Sequence, residues 1–144
     1  MLALPGIPAI AEHPWAYPAL EVVHIIGIAL LVGNLVLLEL RVWGAAPALP
    51  LKALASLALT VSVAGFGLVV LSGLTMFAAS PGELLANRLF VIKLGLVGLA
   101  GLNAAMFHAR DGLRRLDALA KAQTVLSLGL WLGVIICGRF IAYV

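Results

Sequence analysis

ALASLALTVSVAGFGLVVLSGLTMFAASPG, residues 53–82, decides the fold: between Lys52 and Glu83 the chain carries no charged side chain. At 1.5 Å per residue, about 20 helical residues cross a hydrocarbon core roughly 30 Å thick. A run this long and this apolar reads as a transmembrane helix. It ends at Pro81-Gly82, a pair that stops a helix or starts the next one.

Working outward, three more apolar runs flank it. The first extends over about 15–43, with Trp15 and Tyr17 at one end and Trp43 at the other, as interfacial aromatic anchors sit. The second span covers about 52–79, the third about 85–109 and the fourth about 118–144. The links WGAAPALP, ASPGE and ARDGLRRLD hold the Gly, Pro and charged residues that end helices. Links this short favour antiparallel neighbours. The expected fold is therefore all-α, a single membrane domain over residues 1–144 built as an up-down-up-down four-helix bundle.

Composition agrees. Of 144 residues, 64% are hydrophobic and only 10% charged, with a mean hydropathy of +1.18. A soluble domain of this length needs a far more polar surface. The lone Cys137 excludes an internal disulfide framework and any cysteine-cluster metal site. A net charge of +3 reflects topology and contact with anionic lipid headgroups, not nucleic acid. The leader MLALPGIPAIAEHP lacks a basic segment and is broken by prolines, so it reads as a non-cytoplasmic or interfacial lead-in, not a cleaved signal.

Lys and Arg set the expected orientation. The face with the first and last links holds Arg41, Lys52, Arg110, Arg114, Arg115 and Lys121; the other holds Arg88, Lys93 and Arg139. The richer face belongs in the cytoplasm, placing both termini outside, in the periplasm of a bacterial inner membrane.

Ionisable residues inside spans cost roughly 2.5–3.5 kcal/mol on insertion scales, so each is a site hypothesis by default. EVVHIIG, residues 21–27, puts Glu21 and His24 in the outer half of the first span. Lys93 of the third span and Arg139 with Tyr143 of the fourth lie in the same half. His24 falls roughly 7 Å outward of its helix midpoint and Lys93 about 6 Å, so the two share a level. Gly27, one turn beyond His24, leaves space beside the imidazole. The other half holds Asn34, Glu39, Arg41, Asn103, His108, Gln123 and Thr124. His108 lies on the order of 20 Å or more from the level of His24, too far to grip one small cofactor with it. The glycines of GLVGLAGLNAAMFH are read first as packing faces, and second as a slot for a flat ligand.

No nucleophile triad, phosphate-cradling loop, HExxH or CxxC is present. Buried histidine, small neighbours and arginines near the helix ends suit haem b. On that reading His24 is the axial ligand and Arg139 the propionate partner. Lys93 is either the opposite ligand or a second propionate partner, and Glu21 tunes the site. His108 marks a possible second metal site. Copper at His24 is the rival, although copper(I) prefers sulfur ligands. A third reading has no cofactor and makes the chain a structural or assembly subunit. Electron transfer would call for a membrane redox partner or a quinone, and the weak GxxxG of Gly129–Gly133 suits an intrachain contact or a homo-oligomer equally well.

The quoted stretches WAYPALEVVHIIGIALLVG, LLELRVWG, VVLSGLTMF, FVIKLGLVGLAGLN and LWLGVIICGRFIAYV resemble a family of small bacterial four-helix membrane proteins. More distantly, HII, SGL and IKLGLV are similar to HemJ-type protoporphyrinogen oxidases and to CopD-type copper-resistance domains. The HemJ likeness implies haem ligation near His24 and a functional role for Lys93. The HemJ pattern also places a histidine about eleven residues after that lysine, where this chain has Ala104.

Overall fold

The computed structural model describes Gly6 and residues 12–143, the Ala142 side chain excepted. Most of the lead-in and the last residue of the fourth expected span therefore lie outside the described residues. The elements are α1 (Ala16–Val42), α2 (Leu51–Ala79), the short α3 (Pro81–Ala86), α4 (Arg88–Ala109), the single-turn α5 (Gly112–Arg115), α6 (Ala118–Phe140) and a closing 3-10 turn, Ile141–Tyr143. No strand occurs among the described residues. Four of these helices are long and apolar enough to cross a membrane: α1, α2, α4 and α6. The protein is an all-helical four-helix membrane bundle, whose lipid-contacting exterior follows from that apolarity.

Each helix end has a local cause. α1 stops at Trp43 because Gly44, at φ +105°, takes the conformation that L side chains resist. Its N–H bonds Arg41 O at 3.0 Å, and the Ala45 N–H bonds Leu40 O at 2.9 Å, the paired closure of a Schellman motif. The Arg41 Nε–H then donates to Leu49 O at 2.9 Å and folds the loop back. Pro50 precedes α2 with ψ 118°, where it gives up no needed donor. Pro81 opens α3 and Asn87 separates it from α4. The third span was expected from about residue 85; the membrane helix starts at Arg88 because extended Asn87, at ψ 117°, breaks the chain and caps the new helix through Leu89 N–H. Asp117 caps α6 in the same way, accepting from Ala120 N–H at 2.8 Å.

Packing is tightest between sequence neighbours. α1 lies along α2, and α4 along α6, while α1 also meets α6. The closest approach is Gly27 against Gly65. A Cβ on Gly27 would fall 2.8 Å from Gly65 O, and one on Gly65 would fall 2.7 Å from Gly27 O. Two glycines bring the backbones together where no larger residue fits. Next to this crossing the Ser62 hydroxyl donates to Leu31 O at 3.3 Å. Toward the α1–α2 loop, Leu38, Ala55 and Ala58 form a small core covered by Leu51, Leu59 and Leu113. Phe66 meets Trp131 edge-on at 6.4 Å, and Phe77 stacks on Phe90 at 5.8 Å, joining the two pairs. Large apolar side chains such as Leu57, Val63, Leu71 and Leu102 point outward. That is inverted for a soluble protein and expected where lipid is the solvent.

Candidate functional site

The polar side chains of the spans separate into two groups, one toward the chain termini and one toward the loops after α1 and α4. At the terminal end His24 is half-buried between α1 and α2. Its Nδ1 lies 2.9 Å from Ser72 Oγ. Ser72 spends its own proton on Leu68 O, at 2.6 Å, so its oxygen accepts and His24 Nδ1–H donates. In that tautomer Nε2 keeps the lone pair. The ring also rests against Gly73, whose added Cβ would sit 3.5 Å from His24 Cε1.

Lys93 of α4 is within electrostatic reach of His24. Its stem crosses to α6, with Nζ 3.7 Å from where a Cβ on Gly138 would stand. Arg139 is exposed at the end of α6, donating to Tyr143 Oη at 3.0 Å with its guanidinium 5.1 Å from that ring. Glu21 is exposed, and Tyr17 is the group its charge acts on. Neither Arg139 nor Glu21 bonds to His24. The ion pairs among the described residues are Arg110–Asp117 and Arg114–Asp111, so Glu21 and Lys93 do not neutralise each other.

One expectation is corrected. Gly27 leaves no open flank beside the imidazole. Its free space is taken by Gly65 O and by Val69, whose Cγ2 would lie 2.9 Å from an added Cβ. The glycines of α4 behave in the opposite sense. Gly95, Gly98 and Gly101 have nothing within 4 Å of an added Cβ and face outward. The helix-packing role expected of them belongs instead to Gly27 and Gly65.

At the loop end, Glu39 of α1 and His108 and Asn103 of α4 line a cavity of about 50 Å³ with Gln123, Thr124 and Ser127 of α6. Buried Asn103 donates through Nδ2 to Gln123 O at 2.9 Å. The Trp43 indole N–H donates to Thr124 Oγ1 at 2.7 Å, and Lys121 lies 5.6 Å over the same indole. Arg110 reaches Gln123 Oε1 at 3.4 Å and Asp117 at 3.1 Å. His24 does not line this cavity, so the two histidines are not brought together. Asp117, outside the spans, has its carboxyl held below the usual range by the Ala120 N–H, and then by Arg110 and Arg115.

Sequence reading missed Ser72 and Ser127. A serine in an apolar helix at the level of a buried histidine was the available signal for the first. Among the described residues no three of His, Cys, Asp and Glu converge as metal ligands. In comparisons with known proteins, no family model, no curated protein and no solved structure matches this chain.

Proposed function

We propose that this chain is a membrane haem b protein with His24 as axial ligand, serving electron transfer or haem-linked redox chemistry. The observation that carries the reading is the His24–Ser72 bond at 2.9 Å. A metal-ligating imidazole characteristically ties down one ring nitrogen and offers the other, and His24 does this inside a membrane helix pair. When bound, haem b supplies reversible one-electron chemistry.

The protein's own groups then have distinct tasks. Ser72 holds the imidazole orientation, and Leu68 O fixes Ser72. The Lys93 ammonium supplies positive charge near His24 and would suit a propionate; deprotonated, the same nitrogen could hold the metal instead. Arg139, already turned toward Tyr143, is the further propionate partner. Glu21 is too exposed to orient His24 directly, and Gly27 is excluded as a cradle because α2 fills its flank. His108 belongs to the other polar group and is no part of this site. The charge asymmetry of the loops favours a bacterial inner membrane with the termini outside, and a quinone or another membrane redox protein as partner.

A second reading has a specific observation behind it. With Gly27 packed on Gly65 and His24 satisfied by Ser72, the cluster also works as a polar latch between α1 and α2 in a cofactor-free structural subunit. Copper is disfavoured, since hydroxyl and ammonium neighbours are poor copper(I) ligands.

The test is spectroscopic. Protein expressed with ample haem and purified in mild detergent is recorded oxidised and dithionite-reduced, for wild type, His24→Ala and Ser72→Ala. The haem reading expects a Soret band that vanishes in His24→Ala and persists, shifted or weakened, in Ser72→Ala. Colourless wild-type protein would falsify it, and destabilised variants would then favour the latch.

A further inference from the structure

The cavity at the loop end is independent of the haem reading and has its own chemistry. Its walls are mostly hydrocarbon: Leu35 and Leu38 of α1, Leu59 of α2, Ala104 and Phe107 of α4, and Leu113 of the α5 turn. Much of its polar lining is already engaged. Asn103 Nδ2–H donates to Gln123 O, and Gln123 Oε1 accepts from Arg110. The Thr124 hydroxyl accepts from Trp43 and donates to Lys121 O. Ala104 and His108 line the cavity yet are exposed, one turn apart on α4, so it opens sideways there. That face of an apolar span meets lipid. An apolar slot open to a bilayer suits a hydrocarbon chain.

The α5 turn lies against this slot. The Phe107 ring packs on Gly112, where an added Cβ would fall 2.7 Å from Cε2, and Leu113 covers the Leu38–Ala55–Ala58 core. With Leu113 turned inward, its neighbours in sequence, Arg114 and Arg115, are exposed. The Arg114 side chain is 84% exposed, and its carboxylate partner Asp111 is exposed as well, a pairing that holds it weakly. Arg115 forms no ion pair among the described residues. Two guanidinium groups thus stand beside an apolar slot at the end of a span, the level at which headgroup phosphates lie. Their planar donors match phosphate oxygens.

We propose that the α5 turn and the adjoining slot form a binding site for one anionic phospholipid, its phosphate on Arg114 and Arg115 and part of one acyl chain against Leu59, Phe107 and Leu113. Charge selects the headgroup: a zwitterionic lipid brings its own cation to the two arginines and an anionic one does not. Volume selects what enters. About 50 Å³ is far below the roughly 300–1,000 Å³ of a pocket that encloses a whole small molecule. A short length of chain fits, and the rest stays in the bilayer. The lining carboxylate, Glu39, has no part in holding an anion, which separates this site from one for a cationic amphiphile.

The experiment uses the full chain, stripped of lipid in mild detergent. It is titrated with phosphatidylglycerol, with phosphatidylcholine of the same chains, and with glycerol 3-phosphate. Unfolding temperature is read together with bound lipid by native mass spectrometry. Phosphatidylglycerol is expected to bind saturably, one per chain, and to raise the unfolding temperature more than either comparison ligand. Arg114→Gln and Arg115→Gln should each weaken its binding about fivefold. Ala104→Leu, which narrows the mouth, should weaken it about fourfold for each methylene excluded. Glu39→Gln and His24→Ala should leave it unchanged. Equal binding of phosphatidylcholine overturns the proposal, as does glycerol 3-phosphate acting as strongly as the lipid. So does unchanged binding in the double arginine variant or in Ala104→Leu, and so does loss of binding in a folded Glu39→Gln. Should Glu39→Gln not fold, the arginine and Ala104 variants, all at exposed positions, decide.

Discussion

Replacing Gly27 by alanine adds one methyl group at the closest point of the bundle. That carbon would stand 2.8 Å from Gly65 O, 2.9 Å from Val69 Cγ2 and 3.0 Å from Val69 N, and two of these neighbours are backbone atoms that cannot rotate away. Ordinary contact begins at 3.4 Å, so α1 and α2 must part by about 0.6 Å. The reciprocal change, Gly65→Ala, faces Gly27 O at 2.7 Å and demands about 0.7 Å. A parting of that size reaches His24, one turn away. Its 2.9 Å bond to Ser72 would stretch to about 3.5 Å, the outer limit of a hydrogen bond. Overpacking costs about 1–3 kcal/mol, and a lost interhelical bond in a membrane adds about 0.6 kcal/mol on average. Each single variant should therefore lose roughly 2–3 kcal/mol, measured by reversible unfolding of detergent-solubilised protein with denaturing detergent. Gly98→Ala and Gly101→Ala are internal controls, since an added methyl meets nothing within 4 Å. They should match wild type or gain slightly through helix propensity. Equal stability of Gly27→Ala and Gly98→Ala would refute the reasoning, because the close crossing would then not be a determinant of the fold.

Other changes test separate contacts. Ser72→Ala should cost about 0.6 kcal/mol in the same assay; no loss would show that His24 finds another acceptor. Asn87→Ala removes the cap on α4 along with the bond from Nδ2 to Ile141 O at 3.0 Å, and should cost about 1 kcal/mol or more with faster amide exchange in the first turn of α4. Trp43→Phe deletes the donor to Thr124; amide exchange at the start of α6 should rise, while the α1–α2 crossing stays protected. Asp117 carries the pH dependence at the α5–α6 junction. Its folded carboxyl is held below the usual range, so its contribution is complete above the ordinary carboxylate range and fades as pH falls through the depressed value. Asp117→Asn keeps a capping side chain but cannot titrate. The wild-type advantage over it should shrink on acidification, and a gap constant with pH would contradict the cause assigned.

The spans were legible because the bilayer leaves so few alternatives: every backbone polar group must be satisfied within a helix, and charge is confined to the ends. Ala16–Val42 and Leu51–Ala79 fall within a residue of the expected limits for that reason. The start of the third helix was less legible, since PGELLA is apolar enough to extend a span. The boundary turned on Asn87 acting as a cap, a residue whose role depends on its own backbone angle. Site detail was harder still. Gly27 announces that something comes close, but only the fold reveals that the visitor is Gly65 and not a ligand. Depth arithmetic gathers Glu39, Asn103, His108, Gln123 and Thr124 at one end. It cannot say that their helical phases converge on one cavity, or that Ser127 completes it.

The tightest contacts of this chain join membrane-spanning helices that are also consecutive spans in sequence, α1 with α2 and α4 with α6. Biosynthesis delivers them in the same grouping. The first hairpin can close its glycine crossing as soon as α2 has emerged, with no need of anything downstream. The second follows as a unit, clipped by Asp117 and Arg110 across its turn. Membrane assembly thus becomes the docking of two hairpins through Phe66–Trp131, Phe77–Phe90 and the Trp43–Thr124 bond. Two halves made as separate polypeptides, divided in the segment around α3, should then find each other in the bilayer.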